Sequence, residues 1–448
     1  MKSPLLIRAM IIAGVGILVL FPIALISGKI SERRARADAV MAQFAAETSA
    51  PQTIVGPLLA ITCEETYTEE RLIMRKNNAE TIAEKKTTSC PTGYFPPRSL
   101  KVAGKMPVES LHRGIYQIRL YRASIAMAGE FEWPEPVTSH EDRPRVWKNA
   151  YLVVAVSDPR GVKNAKSITS AALNQGKDTE FEGRFAIRED LGEYRSRKAG
   201  STLPFGYQMD ITGTSSLFIA PVGDSTEIQL TSSWPHPSFG GAWTPDERHI
   251  SAAGFDAKWR TKNIATGGQA SWEKQAREGK LLATAGVAGV SLFDPVNVYA
   301  LSYRATEYAF LFVLFTFAAL ALVEALADVR LHPVQYALVG SAIAVFFLLL
   351  IALSEHISFT RAYVLAASAC VALLTFYLRH PLRTLARTVG FFGLFTGLYA
   401  TLFMLLKSED HALLMGSLLV FGVLAVAMIA TRKLDWTSFA GRLLARTG

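Results

Sequence analysis

The stretch AMIIAGVGILVLFPIALIS, residues 9–27, carries no charged side chain. At 1.5 Å per residue an apolar run of this length crosses a hydrocarbon core of roughly 30 Å. Its reading decides the fold, because similar runs return only after a long polar interval. They occupy residues 308–326, 334–354, 362–378, 389–406 and 412–431. Short connections between the last five make them antiparallel neighbours, and Pro22 in the first run is tolerated as a local kink. The chain is therefore expected to be a membrane protein with six transmembrane α-helices, one plus five. A large mainly-β domain is inserted between helices 1 and 2. The expected divisions are an N-terminal anchor (residues 1–30), a mainly-β domain outside the membrane (31–303), and a five-helix bundle with a cytoplasmic tail (304–448).

Orientation follows from the basic residues of the short loops, since Lys and Arg are retained on the cytoplasmic side. One set of loops and the tail carry Arg330, Arg379, Arg383, Arg387, Arg432, Lys433, Arg442 and Arg446. The alternate loops carry only Arg361 and Lys407. Both termini are therefore expected in the cytoplasm. The first run by itself is ambiguous, with Lys2 and Arg8 before it and Lys29, Arg33, Arg34 and Arg36 after it. It is longer than the roughly 7–15-residue apolar core of a signal peptide, which favours an uncleaved anchor.

The net charge of +9 divides along the same lines. Outside residues 29–307 there are 12 Lys and Arg against six Asp and Glu, and inside there are 35 against 32. The basic balance records membrane topology, and nucleic acid is not an expected partner. Of the three cysteines, Cys63 and Cys90 fall in the external segment. An oxidising compartment permits a Cys63–Cys90 disulfide there, the alternative being two separate thiols. Cys370, within the fourth span, reads as a small packing residue.

After an Ala-rich helical continuation over residues 32–47, the pattern changes at Pro51 to short apolar runs separated by turn residues. Candidate strands are 54–62, 115–127, 151–156, 181–187 and 208–212. Residues 216–222 and 226–232, around Gly223-Asp224-Ser225, read as a hairpin. Such spacing suggests sheets packed face to face, in one or two subdomains. No strand, Gly-rich loop and helix follow one another, so a nucleotide-binding α/β fold is not expected. Trp234, Trp243, Trp259 and Trp272 read first as core residues. His236, held between Pro235 and Pro237, reads as part of a rigid corner in preference to a metal ligand. Glu64-Glu65 and Glu69-Glu70 look like exposed charges at strand ends.

Several motifs carry a resemblance. They are Trp-Pro-His-Pro-Ser-Phe at 234–239, Gly-Phe-Asp-Ala-Lys-Trp at 254–259 and Arg-Ala-Thr-Glu-Tyr-Ala at 304–309. His-Pro-Val-Gln-Tyr-Ala-Leu-Val-Gly follows at 332–340, then Leu-Ser-Glu-His at 353–356 and Asp435-Trp436. With them the chain resembles, from end to end, the CreD family of bacterial inner-membrane proteins. The resemblance implies a Gram-negative source, which makes residues 31–303 a periplasmic domain, and a role in cell-envelope integrity. It also implies production tied to a sensor kinase and response regulator, and a link to β-lactam tolerance. It assigns no reaction, and Cys63 and Cys90 stand outside its pattern.

Charges near the spans are the remaining candidate site. A charge at the bilayer centre costs roughly 2.5–3.5 kcal/mol on insertion scales, and less towards an interface. Glu324, Arg330 and His332 are expected to lock the second and third spans together on the cytoplasmic side. Glu355, His356 and Arg361 form a matching group on the other side, near Arg304 and Glu307. The alternative for each is a set of solvated interfacial charges. No catalytic, cofactor-binding or metal residue is implied: His112, His140, His236 and His249 are not joined by HExxH, GxSxG or Ser-x-x-Lys spacing placed to support chemistry. The expected partners are the lipid bilayer and an envelope protein, lipid or cell-wall component. An envelope enzyme acting on wall polymer or lipid is the alternative function, and a transporter a weaker one.

Overall fold

A computed structural model describes residues 4–75, 78–136, 144–168, 173–174, 180–181, 184–262, 286–292, 298–327, 331–382, 384–407 and 412–432. The chain divides into two compact units, Met1–Ala39 with Val296–Gly448, and Val40–Pro295.

The first unit is helical. Its elements are α1 (Pro4–Glu47, whose last eight residues belong to the second unit), α2 (Val298–Glu307), α3 (Ala309–Ala327), α4 (Pro333–Ser354), α5 (Phe359–Leu382), α6 (Leu385–Lys407) and α7 (Ala412–Thr431). Among the described residues four helices are long and apolar enough to cross a membrane: α1 from Met10, α4, α5 and α6. The pair α2 and α3, bent by 44° where they meet, makes a fifth if counted as one span, and Leu414–Ala425 of α7 is a shorter apolar helix. The bend lies within the Arg304–Ala309 motif, so the ten residues of α2 precede the run that apolarity alone marks out. The Ala-rich continuation prolongs α1 to Glu47 without a break, and Pro22 lies inside it.

Packing in this unit relies on rings and small residues. Phe312, Phe346, Phe347, Tyr363, Phe395 and Tyr399 are buried in one cluster with Val19 and Ile23 of α1. Gly340 lets α4 approach α1 closely, since a Cβ there would overlap the side chain of Val19. Close backbone approach through small residues is a usual device where lipid supplies no hydrophobic drive between helices.

The second unit is mainly β. One sheet of nine strands runs β14 (Pro237–Gly241), β17 (Ala288–Leu292), β12 (Ser216–Ile219), β1 (Gln52–Arg75), β6 (Arg145–Val156), β10 (Arg184–Glu193) and β8 (Leu173–Asn174). There β2 (Asn78–Phe95) also pairs with β1 and β9 (Glu180–Phe181) with β10. The second sheet, of eight strands, runs β15 (Glu247–Ser251), β16 (Gly254–Lys262), β13 (Ser225–Ser232), β3 (Ser99–Met106), β5 (Tyr116–Glu132), β11 (Thr202–Thr214) and β7 (Val162–Ser167), with β4 (Val108–Arg113) on β5. Period-2 alternation builds the core: β3 turns Leu100, Val102 and Met106 inward and Lys101 and Lys105 outward. Both sheets feed a single cluster, Leu59, Val153, Leu217 and Val290 from the first and Val102, Ile125, Met209, Leu230 and Trp259 from the second. The sheets therefore share one core, not two.

Two local expectations are corrected. Residues 216–222 and 226–232 do not form a hairpin: β12 pairs with β1 and β17, and β13 with β3 and β16 in the other sheet. Pro221 has no N–H to extend a ladder, and the chain crosses between sheets as the Asp224 and Ser225 amides bond to Pro97 and Arg98 carbonyls. Glu64, Glu65, Glu69 and Glu70 lie within β1, not at its end. Beyond Glu65, where β6 stops, β1 pairs only with β2 as a two-stranded ribbon. Glu64 pairs with Lys148 at 2.9 Å, Glu65 with Arg145 at 3.0 Å, and Glu69 with Lys86.

Candidate functional site

The polar groups of the helical unit gather at the two ends of α4. At its start, His332 has extended backbone and caps the helix. Its Nδ1 accepts from the Val334 amide at 3.3 Å, while the Gln335 side chain accepts from the His332 amide at 2.8 Å. This is a reciprocal capping box, and Pro333 sits where a missing N–H is harmless. Glu324 of α3 reaches the same corner. One carboxylate oxygen accepts from the Leu331 amide at 3.0 Å, and the other accepts from the Tyr336 hydroxyl at 3.1 Å. Tyr336 is buried, its ring edge-on to Phe317. Glu324 thus stands at the corner between α3 and α4. Its carboxylate ties α3 to α4 through Tyr336 and a backbone amide, His332 is committed to the helix start, and Arg330 lies outside the described residues.

At the other end Glu355 is the C-cap of α4. Its carboxylate lies 3.5 Å from the Tyr299 hydroxyl of α2 and 3.8 Å from Arg33 Nε of α1. Three helices meet at that one group. His356 and Arg361 are exposed instead of joining it. Arg33 and Tyr299 were missed from sequence, because they lie far from Glu355 in the chain and at the margins of the apolar runs. On α2, Tyr299, Ser302, Ala305 and Thr306 are buried along one face.

Between these ends a hydrogen-bonded chain crosses the helix interior. Tyr363 donates to the Tyr399 carbonyl at 2.7 Å, Tyr399 to Cys370 Sγ at 3.0 Å, and Cys370 to the Ala342 carbonyl at 3.5 Å. Phe312 and Phe346 lie edge-on to Tyr399, with centroids 4.6 and 4.7 Å away. Cys370 is therefore more than filler, since it relays a bond from α6 through α5 to α4.

In the β unit the polar groups serve as clamps. Gln52 is fully buried, and its amide donates to Ser49 Oγ at 2.7 Å and the Asp158 carbonyl at 2.9 Å. The Asp158 carboxylate accepts from the Ala50 amide at 2.8 Å and from Arg160 at 2.7 and 2.9 Å. The Arg160 guanidinium holds that carboxyl below its ordinary range, while its other nitrogen donates to the Ala46 carbonyl in the last turn of α1. A cation there complements the negative helix end. Glu189, also buried, joins the sheets by accepting from Tyr207 and from Ser167 Oγ at 3.2 Å. Burial, with Glu189 alongside, drives the Tyr207 phenol well up.

Cys63 and Cys90 are paired as a disulfide, Cα to Cα 5.1 Å, across the base of the β1–β2 ribbon. Trp259 is buried in the core. Trp234 and Trp243 are half-buried against it. Arg119 stacks 4.6 Å from the Trp234 ring. The Trp234 indole donates to the His236 carbonyl at 2.9 Å, which fixes the Pro-His-Pro corner. Trp272 and His140 fall outside the described residues. Among the described residues no three His, Cys, Asp or Glu side chains group as metal ligands.

Comparison with known proteins decides the family. Residues 4–437 match the model of the inner membrane protein CreD. The chain belongs to the CreD family. It is 32% identical over 455 residues to the inner membrane protein CreD of Escherichia coli (strain K12), covering 98% of this chain and 95% of the relative. With its several apolar helices it is thus a multi-pass inner-membrane protein carrying a large mainly-β domain.

Proposed function

We propose that this CreD protein supports cell-envelope integrity, its β unit binding an envelope protein, lipid or wall component in the periplasm while the helices hold it in the inner membrane. In this reading α7 completes six spans, both termini are cytoplasmic, and the basic residues of the short loops set that orientation. The observation that carries it is the pairing of a membrane-anchoring helical unit with a β unit of comparable weight inside one inner-membrane family match. Production under a two-component system and a part in β-lactam tolerance belong to the same proposal.

The test is complementation in Escherichia coli lacking its own CreD, read as detergent and β-lactam sensitivity. The full chain is expected to restore resistance, and a variant carrying Asp158→Asn with Gln52→Ala, which loosens the β unit, to restore less at equal membrane abundance. Equal rescue by both, or turnover of wall fragments by the purified full chain, would contradict a binding role.

A further inference from the structure

The outer face of α1 changes character within one turn. Leu18, Phe21 and Leu25 are each more than half exposed, and the next side chain along that face is Lys29, with Arg36 two turns beyond. Val19, Ile23, Ile30 and Ala37 occupy the opposite, buried side. An apolar stripe that faces lipid therefore runs directly into cations. At 1.5 Å per residue the interval from Lys29 to Arg36 is about 10 Å along the axis, enough to cross one headgroup layer of roughly 5–7.5 Å.

The charges of this collar are arranged, not scattered. Glu32 holds Lys29 at 2.7 Å and Arg36 at 3.4 Å on the same side of the helix. Arg33 is drawn towards Glu355. Arg34, on the other flank, is exposed and makes no ion pair among the described residues. With Asp38 exposed one turn beyond Arg34, four basic side chains meet three carboxylates, leaving one cation in excess around the helix. Under the proposed orientation they also stand at the end of the span where the short loops are poor in Lys and Arg, so retention on the cytoplasmic side does not account for them.

We infer that Lys29, Arg34 and Arg36 form a binding collar for the headgroup phosphates of anionic phospholipids around α1. A juxtamembrane basic cluster attracts anionic lipid with an energy that falls off within a Debye length. Long Lys and Arg stems lie along apolar surface while their charged ends reach the phosphates. The inference rests on α1 spanning the bilayer and holds for either orientation.

The test uses the full chain in nanodiscs of equal phosphatidylglycerol and phosphatidylcholine, with retained lipids counted by native mass spectrometry. Wild type is expected to retain phosphatidylglycerol preferentially. The triple variant Lys29→Gln, Arg34→Gln, Arg36→Gln, with Arg33 left in place, is expected to lose that preference about tenfold at low salt and less at high salt. Thermal unfolding of the variant within a few degrees of wild type would show that the fold is intact. An unchanged preference in the folded variant would overturn the collar. So would equal loss on substituting Arg379 and Arg387, because the lipid would then be held elsewhere. Reaction of a Leu25→Cys variant with an impermeant maleimide in the same discs would instead show that α1 does not span, a separate failure.

Discussion

The helical unit exposes many large apolar side chains, whereas the β unit turns most of its own inward. Leu18, Phe21, Leu373, Phe376 and Phe421 are exposed on helices, whereas the exposed positions of β3 are given to Lys101, Ala103 and Lys105. Backbone bonding differs in the same sense. Each helix closes its amide bonds within one segment, while β1 pairs with neighbouring β2 and with distant β6 and β12. A segment in hydrocarbon has no water to complete its backbone bonds, and a strand in water has no such restriction. The contrast therefore assigns a solvent to each unit, and it also sorts their polar groups. Those of the helices sit at helix ends or inside, as Glu324 and Glu355 do, while those of the β unit clamp distant strands, as Gln52 and Asp158 do.

The largest effect that would break the comparison is an exchange of surfaces. Leu373→Arg, on the outer face of α5, is expected to cost roughly 2.5–3.5 kcal/mol, read as reduced membrane insertion. Ile250→Arg on β15 is also an exposed apolar position, and it is expected to change stability by no more than about 0.5 kcal/mol. Equal costs would mean that both surfaces meet the same solvent.

Next is the clamp at Asp158. Removing its charge with Asp158→Asn weakens charged bonds to Arg160 and the Ala50 amide, and about 2 kcal/mol of β-unit stability at pH 7 is expected to be lost. Because the folded carboxyl titrates below its ordinary value, its stabilisation is full above the unfolded value of about 3.9 and fades as pH falls through the folded one. Thermal unfolding of the full chain should therefore show wild type and variant converging below about pH 4. A gap that widens on acidification would reverse the sign.

Smallest is the α3–α4 tie. Glu324→Gln and Tyr336→Phe are each expected to cost about 1 kcal/mol in detergent, with the double variant losing less than the sum because both remove one bond. Strict additivity would show that the pair does not interact.

The sequence displayed these features unevenly. The apolar runs are legible because span length and charge exclusion are local properties, and the Ala-rich continuation of α1 is legible for the same reason. The β unit was harder. The outer ribbon of β1 and β2 is polar on both faces, so it shows little alternation, and only residues 54–62, in the part backed by β6, carried a strand signal. Pro221 marked the crossing between β12 and β13, but two apolar alternations around a Gly-containing turn look alike whether they pair or part. At the site, Glu324 and Glu355 stood out as charges in apolar surroundings. Their partners Tyr336, Tyr299 and Arg33 did not, because a tyrosine in an apolar run reads as packing until the fold shows what its hydroxyl meets. Gln52 and Glu189 gave no signal at all.

The central proposal, a β unit outside the inner membrane on helices that cross it, is tested most directly by labelling a Glu247→Cys variant with a membrane-impermeant maleimide. Glu247 lies on the exposed strand β15, and the native Cys370 is buried. In cells with a permeabilised outer membrane and an intact inner one, position 247 is expected to react fully. Reaction only after the inner membrane is lysed would place the β unit in the cytoplasm and contradict the account.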